Sequence, residues 1–140
     1  MRFWDSSAIV PLCCDQPASA TVLPLLETDD EVVVWWAARV ECASALARMQ
    51  RDGTLSEPEL RPARALLAAL SERWSEVQAT PAVRDLAEQL VRRHPLRAAD
   101  ALQLAAALVW RPGLVAEAPL VTLDDRLRDA AVGEGFAVLP

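Results

Sequence analysis

Short β-type segments alternate with helical segments along the chain, and this alternation is the strongest constraint on its fold. Strands separated by helices form a parallel sheet that helices cover on both faces. The sequence therefore predicts a single α/β domain over residues 1–140, a three-layer α/β/α sandwich around a mostly parallel sheet of about four to five strands. The predicted strands are Arg2–Asp5, Glu31–Trp35, Glu76–Ala79, Pro119–Thr122 and Phe136–Leu139.

Capping residues and helix breakers mark the ends of the predicted helices. Ser6 and Ser7 can cap a helix after the first strand, and Ser56 with Glu59 matches a capping box that opens a helix running to Trp74. The other predicted helices are Pro17–Leu26, Ala37–Arg51, Ala82–Arg93, Ala98–Trp110 and Asp124–Ala131. The segment Pro112–Ala118 is the most loop-like part of the chain.

The basic residues of this chain exclude several kinds of chemistry. All 14 are arginine, so a P-loop, a Schiff-base lysine and a Ser-Lys hydrolase site are absent. The few glycines do not form the G-x-G-x-x-G pattern of dinucleotide-binding folds. The net charge of −6 argues against a protein that binds nucleic acid through a broad basic surface.

No targeting or membrane segment is apparent, and a cytoplasmic location without membrane contact is expected. The N-terminus lacks the apolar core of a signal peptide, and the longest apolar run is about half of a membrane span. The three cysteines, Cys13, Cys14 and Cys42, have neither disulfide nor zinc-site spacing. We expect them to pack as small buried hydrophobic residues.

Four carboxylates fall where α/β domains build their sites, at or near the carboxyl ends of strands. Asp5 ends the first strand, and Asp124 follows the fourth. Glu41 and Asp100 lie in the first turns of two helices, among apolar neighbours where an unpaired carboxylate is costly. Because no histidine or cysteine cluster accompanies them, this all-oxygen set predicts a site for Mg²⁺ or Mn²⁺.

The segments around these carboxylates carry a family resemblance. Residues 3–8, FWDSSA, look like the D-[ST]-[SN]-[AV] start of PIN-domain proteins, and Val40-Glu41 is similar to their second acidic position. Residues 94–105, HPLRAADALQLA, resemble the family's L-R-x-x-D-A-L-x-L-A segment. Residues 120–127, LVTLDDRL, resemble its T-x-D-x-x-L segment, and the tail GFAVL at 135–139 also fits. The resemblance spans the whole chain in the family's order.

In size, the chain is similar to the ribonuclease toxins of VapBC-type toxin–antitoxin modules. The resemblance implies a PIN-like fold and a Mg²⁺- or Mn²⁺-dependent endoribonuclease that acts on RNA, forms a homodimer and is inhibited by a small cognate antitoxin. It also implies site roles for residues of this chain. These are Asp5, Glu41, Asp100 and Asp124 as the catalytic, metal-binding quartet, and Ser6, Ser7 and Thr122 as supporting residues. Arg97 and Arg126 lie close in sequence to Asp100 and Asp124, respectively, and are candidate substrate contacts.

We hypothesise a division of labour within the quartet. Asp5, Glu41 and Asp100 would bind a first ion, and Asp124 would complete its shell or assist a second. Cleavage would then leave a 5′-phosphate and a 3′-hydroxyl. The antitoxin is expected to present a basic residue, an arginine, to the acidic pocket.

Structural explanations also exist for these residues. Asp5 could act only as a helix cap, and Glu41 could pair with Arg39 or Arg48 on a solvated helix face. Asp124 and Asp125 both suit a first helical turn, and only the T-x-D spacing favours Asp124.

Further alternatives concern other residues and the function itself. His94 is expected at a helix end rather than in catalysis, and the five tryptophans are expected to pack in the core or a dimer interface. The chain could be a PIN-fold binding or regulatory module without turnover. A phosphatase or receiver domain is disfavoured, because both use a lysine near the phosphoryl group. The RNA target, the number of ions and the antitoxin's identity stay open.

Overall fold

Five strands pair in parallel to form the central sheet of the computed structural model, which describes residues 1–113 and 117–140. Their order across the sheet is β3-β2-β1-β4-β5. The strands are β1 (Arg2–Trp4), β2 (Val32–Trp35), β3 (Ser75–Val77), β4 (Leu120–Val121) and β5 (Val138–Leu139). The predicted parallel sheet is confirmed.

Seven helices connect and cover these strands in the described residues. They are α1 (Ser6–Cys13), α2 (Ser19–Thr28), α3 (Ala38–Arg51), α4 (Glu57–Ser71), α5 (Pro81–Arg93), α6 (Ala98–Trp110) and α7 (Asp125–Gly133). The predicted capping box of Ser56 and Glu59 opens α4, and Thr80 caps α5 ahead of Pro81. Side-chain caps that satisfy the first N–H groups of a helix thus explain where these two helices begin.

Side chains on the sheet alternate between two separate cores. On β2, Val34 packs on one side with α1, α2, α3 and α4, whereas Val33 packs on the other with α5, α6 and α7. Trp4 and Phe3 of β1 divide in the same way. A strand that is buried on both faces has a continuous apolar sequence, and β2 shows this pattern. The predicted three-layer α/β/α architecture is therefore confirmed.

The strand order changes direction at the centre of the sheet. The chain proceeds from β1 outward to β2 and β3, and later returns to the other side of β1 to form β4 and β5. In parallel sheets, such a switch point opens a crevice beyond the carboxyl ends of the two strands beside it. Here those ends lead into Asp5 after β1 and Asp124 after β4.

Several predicted boundaries were wrong by a few residues. Helix α2 begins at Ser19 rather than Pro17, because the Ser19 hydroxyl accepts from Gln16 N at 3.0 Å and donates to Pro11 O at 2.7 Å, which organises a turn there. Helix α4 ends at Ser71 rather than Trp74, and the strand after it is Ser75–Val77 because it aligns with β2. Residues 114–116 of the predicted loop lie outside the described residues.

The tryptophans follow the core prediction with one clear exception. Trp4, Trp35 and Trp74 are buried and Trp110 packs half-buried against the core that contains Phe3, but Trp36 is 53% exposed just after β2. Cys13 and Cys42 are buried free thiols, as expected for small hydrophobic residues, whereas the free thiol Cys14 is only half-buried. Across the part of the chain that the structure describes, no helix is both long and apolar enough to traverse a lipid bilayer.

Candidate active site

Asp5 is the buried centre of the candidate site, with only 5% of its surface exposed. It follows β1, and it caps α1 in place of the predicted Ser6 or Ser7, since its Oδ2 accepts from Ser7 N at 3.2 Å. The same oxygen accepts from the hydroxyls of Ser7 and Thr122, the latter at 3.0 Å. Ser6 Oγ contacts the other oxygen, Oδ1, at 3.4 Å. One carboxylate oxygen is therefore held firmly, and the other is less constrained.

Hydroxyl groups join the ends of β1 and β4 around Asp5. Ser7 Oγ accepts from Leu123 N at 2.9 Å, and Thr122 Oγ1 accepts from Asp124 N at 3.1 Å. Thr122 is fully buried, so its hydroxyl has no solvent alternative to these partners. These hydrogen bonds therefore fix the carboxyl end of β1 relative to the carboxyl end of β4, the two strands beside the switch point.

Asp124 and Asp125 have different surroundings. Asp124 caps α7, with Oδ1 accepting from Leu127 N at 2.9 Å, and it lines the same cleft as Asp5. The side chain of Asp125 is 97% exposed, and its nearest cation is the Arg128 guanidinium at 4.0 Å. Of the two, Asp124 is the one that shares the cleft with the other predicted acidic residues.

Glu41 and Asp100 approach the cleft from opposite layers. Glu41 lies in the first turn of α3, on the α1–α4 side of the sheet, and Asp100 lies in the first turn of α6 on the other side. Asp100 Oδ2 accepts from Arg97 N at 3.3 Å. Glu41 Oε2 accepts from Gln103 Nε2 at 2.6 Å, so its partner is neither Arg39 nor Arg48.

One cleft above the sheet edge collects all four predicted carboxylates. We call it the acidic cleft, and its lining residues are Asp5, Ser6, Ser7, Val10, Val40, Glu41, Ser44, Ala45, Arg48, Ala99, Asp100, Gln103 and Asp124. Arg97 and Arg126 are exposed beside Asp100 and Asp124 at one end. Arg48 lies at the other end, where the cleft continues past Gln16 and Thr54. Arginines therefore stand at both ends of a negatively charged centre.

Burial disfavours the charged forms of Asp5, Glu41 and Asp100, and neighbouring carboxylates add to this effect at Glu41 and Asp100. Burial raises the pKa of Asp5, although hydrogen bonds from Ser7 and Thr122 act in the opposite direction. Burial also raises the pKa of Glu41, and the charges of Asp5 and Asp100 raise it further. The pKa of Asp100 is raised by burial first and by Asp124 second. A cation bound among these groups would relieve the repulsion.

The donor chemistry of the acidic cleft fits a hard divalent cation. Its four carboxylates and nearby hydroxyls provide only oxygen ligands, which suit Mg²⁺ and Mn²⁺. Within residues 1–113 and 117–140, no three acidic, histidine or cysteine side chains are grouped as a ready-made metal cage. Mg²⁺ does not require such a cage, because it commonly retains several water ligands.

Comparison with known proteins shows the family of this chain. A family model described as PIN domain matches residues 2–133, nearly the whole chain. The chain belongs to the PIN domain family. The four carboxylates of the acidic cleft all lie within the matched part of this PIN domain.

Two relatives from Mycobacterium tuberculosis match along almost the full length. Ribonuclease VapC45 of strain CDC 1551 / Oshkosh is 34% identical over 139 residues, which cover 99% of this chain and 94% of the relative. Ribonuclease VapC49 of strain ATCC 25618 / H37Rv matches with the same identity and the same coverage. The likeness therefore includes every element that builds the acidic cleft.

Solved structures show the same fold. PAE2754 from Pyrobaculum aerophilum superposes with a TM-score of 0.69 at 17% identity, over 98% of this chain and 87% of that one. FitAcB from Neisseria gonorrhoeae gives a TM-score of 0.65 at 18% identity, over 100% of this chain and 97% of that one. These values support the α/β/α architecture of this PIN domain.

Three polar residues of the acidic cleft, Ser44, Arg48 and Gln103, were missed as site residues by sequence reasoning. Gln103 interrupts the alanine- and leucine-rich face of α6, and Asp100 lies one turn before it, so the two share one helix face. Arg48 lies two turns after Glu41 on α3. The helical spacing of each from a predicted carboxylate was the available signal.

Proposed function

We propose that this protein is a divalent-metal-dependent endoribonuclease, the toxin of a type II toxin–antitoxin module, built from a single PIN domain over residues 1–140. The observation that carries the proposal is the convergence of Asp5, Glu41, Asp100 and Asp124 on one cleft at the sheet's switch point. The relatives' name, ribonuclease, indicates RNA as the substrate.

In the proposed reaction, the residues of the acidic cleft bind the metal ion and orient the side chains that hold it. Asp5, Glu41 and Asp100 would hold a first Mg²⁺ or Mn²⁺, and Asp124 would complete its shell or assist a second. Ser7 and Thr122 orient Asp5 through its Oδ2, and Ser6 contacts its Oδ1. A bound divalent ion supplies a water of lowered pKa and neutralises charge on the phosphoryl oxygens.

The partners follow from the family and from the charge of the cleft. An antitoxin that inserts a basic side chain would neutralise the acidic cleft and block access to it. A homodimer is also part of the proposal, in line with the VapC resemblance. The surface is acidic overall, with a net charge of −6, so a basic partner is electrostatically favoured.

The central test combines metal binding with RNA cleavage. We expect the purified protein to bind Mn²⁺ in isothermal titration and to cleave RNA only when Mg²⁺ or Mn²⁺ is present, with EDTA abolishing cleavage. The products should carry 5′-phosphates, which end-labelling detects. Metal binding without cleavage of any RNA from a total cellular pool would instead favour a binding or regulatory module.

The arginines at the two ends of the cleft should contribute to RNA binding. Replacement of Arg97, Arg126 or Arg48 by alanine is expected to lower kcat/KM and to reduce its salt dependence. Each lost phosphate contact should lower the slope of log kcat/KM against log salt by about 0.7, the value for single strands. Arg64→Ala, on the exposed face of α4, is the matched control and should leave the slope unchanged. If all four variants keep the wild-type slope, Arg97, Arg126 and Arg48 do not contact the phosphates of the RNA.

A further inference from the structure

Gln103 is a buried amide in a helix otherwise suited to hydrophobic packing. Only 1% of it is exposed, and its neighbours on α6 include Leu104, Ala105 and Ala106, all fully buried. Its Nε2 donates to Glu41 Oε2 at 2.6 Å, and the opposite orientation would place two oxygens against each other. Gln103 therefore makes a specific contact with one carboxylate of the acidic cleft.

Gln103 also carries a polar atom that the described residues leave unpaired. Its Oε1 is buried and has no hydrogen-bond partner among the described residues. A buried acceptor without a donor costs stability, whereas an apolar side chain of the same shape would not. Packing of α6 alone thus favours leucine or methionine at this position, and the contact with Glu41 is what the amide adds.

The contact also spans the sandwich. Glu41 and Gln103 are 62 residues apart and belong to α3 and α6, which lie in opposite helical layers. Asp100, one helical turn before Gln103, lies in the same cleft. The Gln103 amide therefore links the Glu41 carboxylate to α6, the helix that carries Asp100, across the edge of the sheet.

We propose that Gln103 is a positioning residue that holds the Glu41 carboxylate in the orientation needed for divalent-metal binding. This inference rests on the proposed metal site and deepens it, since it assigns a residue that acts through a ligand. Hydrogen bonds that orient metal ligands typically contribute about 10- to 100-fold to metal affinity or activity. A side chain placed for packing alone would not influence that affinity.

The test compares Gln103→Met with the wild-type full-length protein by isothermal titration with Mn²⁺. We expect Mn²⁺ affinity to fall about 10- to 100-fold. The metal-free protein should stay folded, because removal of the unpaired Oε1 offsets the loss of the hydrogen bond to Glu41 Oε2. The matched control is Gln50→Met, which deletes an exposed Gln50–Glu57 hydrogen bond, also 2.6 Å long, outside the cleft; it should leave Mn²⁺ affinity unchanged.

Each other outcome overturns the inference. Wild-type Mn²⁺ affinity in folded Gln103→Met, or a lowered melting temperature with unchanged affinity, would make Gln103 a structural residue only. Gln103→Leu is measured in parallel, and unfolding of both variants would show that the amide stabilises the fold, contrary to the argument. If the wild-type protein itself fails to bind Mn²⁺, the proposed function fails first, and that result is distinct from a loss confined to the Gln103 variants.

Discussion

Replacement of Asp5 by asparagine is expected to abolish metal-dependent RNA cleavage while the fold stays intact. Asparagine has nearly the same shape, and its oxygen can still accept from Ser7 N and Thr122 Oγ1. The substitution removes the most buried negative charge of the acidic cleft. Loss of a residue that merely orients a metal ligand costs about 10- to 100-fold, so loss of a ligand should cost at least 100-fold.

The same substitution should change how the stability of the metal-free protein depends on pH. Burial raises the pKa of Asp5, so the folded state binds this proton more tightly than the unfolded state. The Asp5 contribution therefore decreases the free energy of unfolding as the pH rises from the ordinary aspartate pKa through the raised value. Asp5→Asn lacks this contribution, and above that range its free energy of unfolding should equal or exceed that of the wild-type protein.

The loss of activity in Asp5→Asn is measured by cleavage assays with Mn²⁺, and circular dichroism verifies the fold. Thermal melts from about pH 4 to 8 measure the pH dependence of stability. Asp85→Asn, on the exposed side of α5, is the control for a carboxylate remote from the cleft and should leave activity unchanged. A purified, folded Asp5→Asn protein that cleaves RNA at the wild-type rate would refute the assignment of Asp5 as a ligand.

Asp124→Asn should lower activity strongly, whereas Asp125→Asn should leave it nearly unchanged. Asp124 lies in the acidic cleft, and its loss should reduce kcat by about 10- to 100-fold or more. Asp125 projects into solvent with 97% of its side chain exposed, and its replacement should change kcat by no more than about twofold. Asparagine caps helices about as well as aspartate, so α7 should keep its N-terminus in both variants.

This adjacent pair is its own matched control, because the two variants make the same chemical change at neighbouring positions. Single-turnover cleavage at saturating Mn²⁺ measures the effect on the chemical step, and thermal melts verify folding. An inactive Asp125→Asn protein beside a fully active Asp124→Asn protein would reverse the assignment of the fourth carboxylate.

Sequence patterns predicted well those parts of the architecture that depend on residues close together in the sequence. The apolar run of β2 and the capping box of Ser56 and Glu59 depend on residues within a few positions of each other, and both features are present. The boundaries of α2 and β3 were less well predicted. Ser19 begins α2 through contacts with Pro11 and Gln16, and β3 follows the register of β2, so both depend on interactions that local propensity does not contain.

For the candidate site, the sequence by itself determined which carboxylates lie at strand ends and helix starts. Strand alternation and helix capping depend on residues only a few positions apart, so both are visible in the sequence. Tertiary structure alone decided that Glu41 and Asp100, from opposite layers, meet above the switch point beside β1. It also decided that Gln103, rather than an arginine, is the partner of Glu41. The physical reason is that this contact joins residues 62 positions apart, and only the packing of α3 and α6 on opposite faces of one sheet brings them within hydrogen-bonding distance.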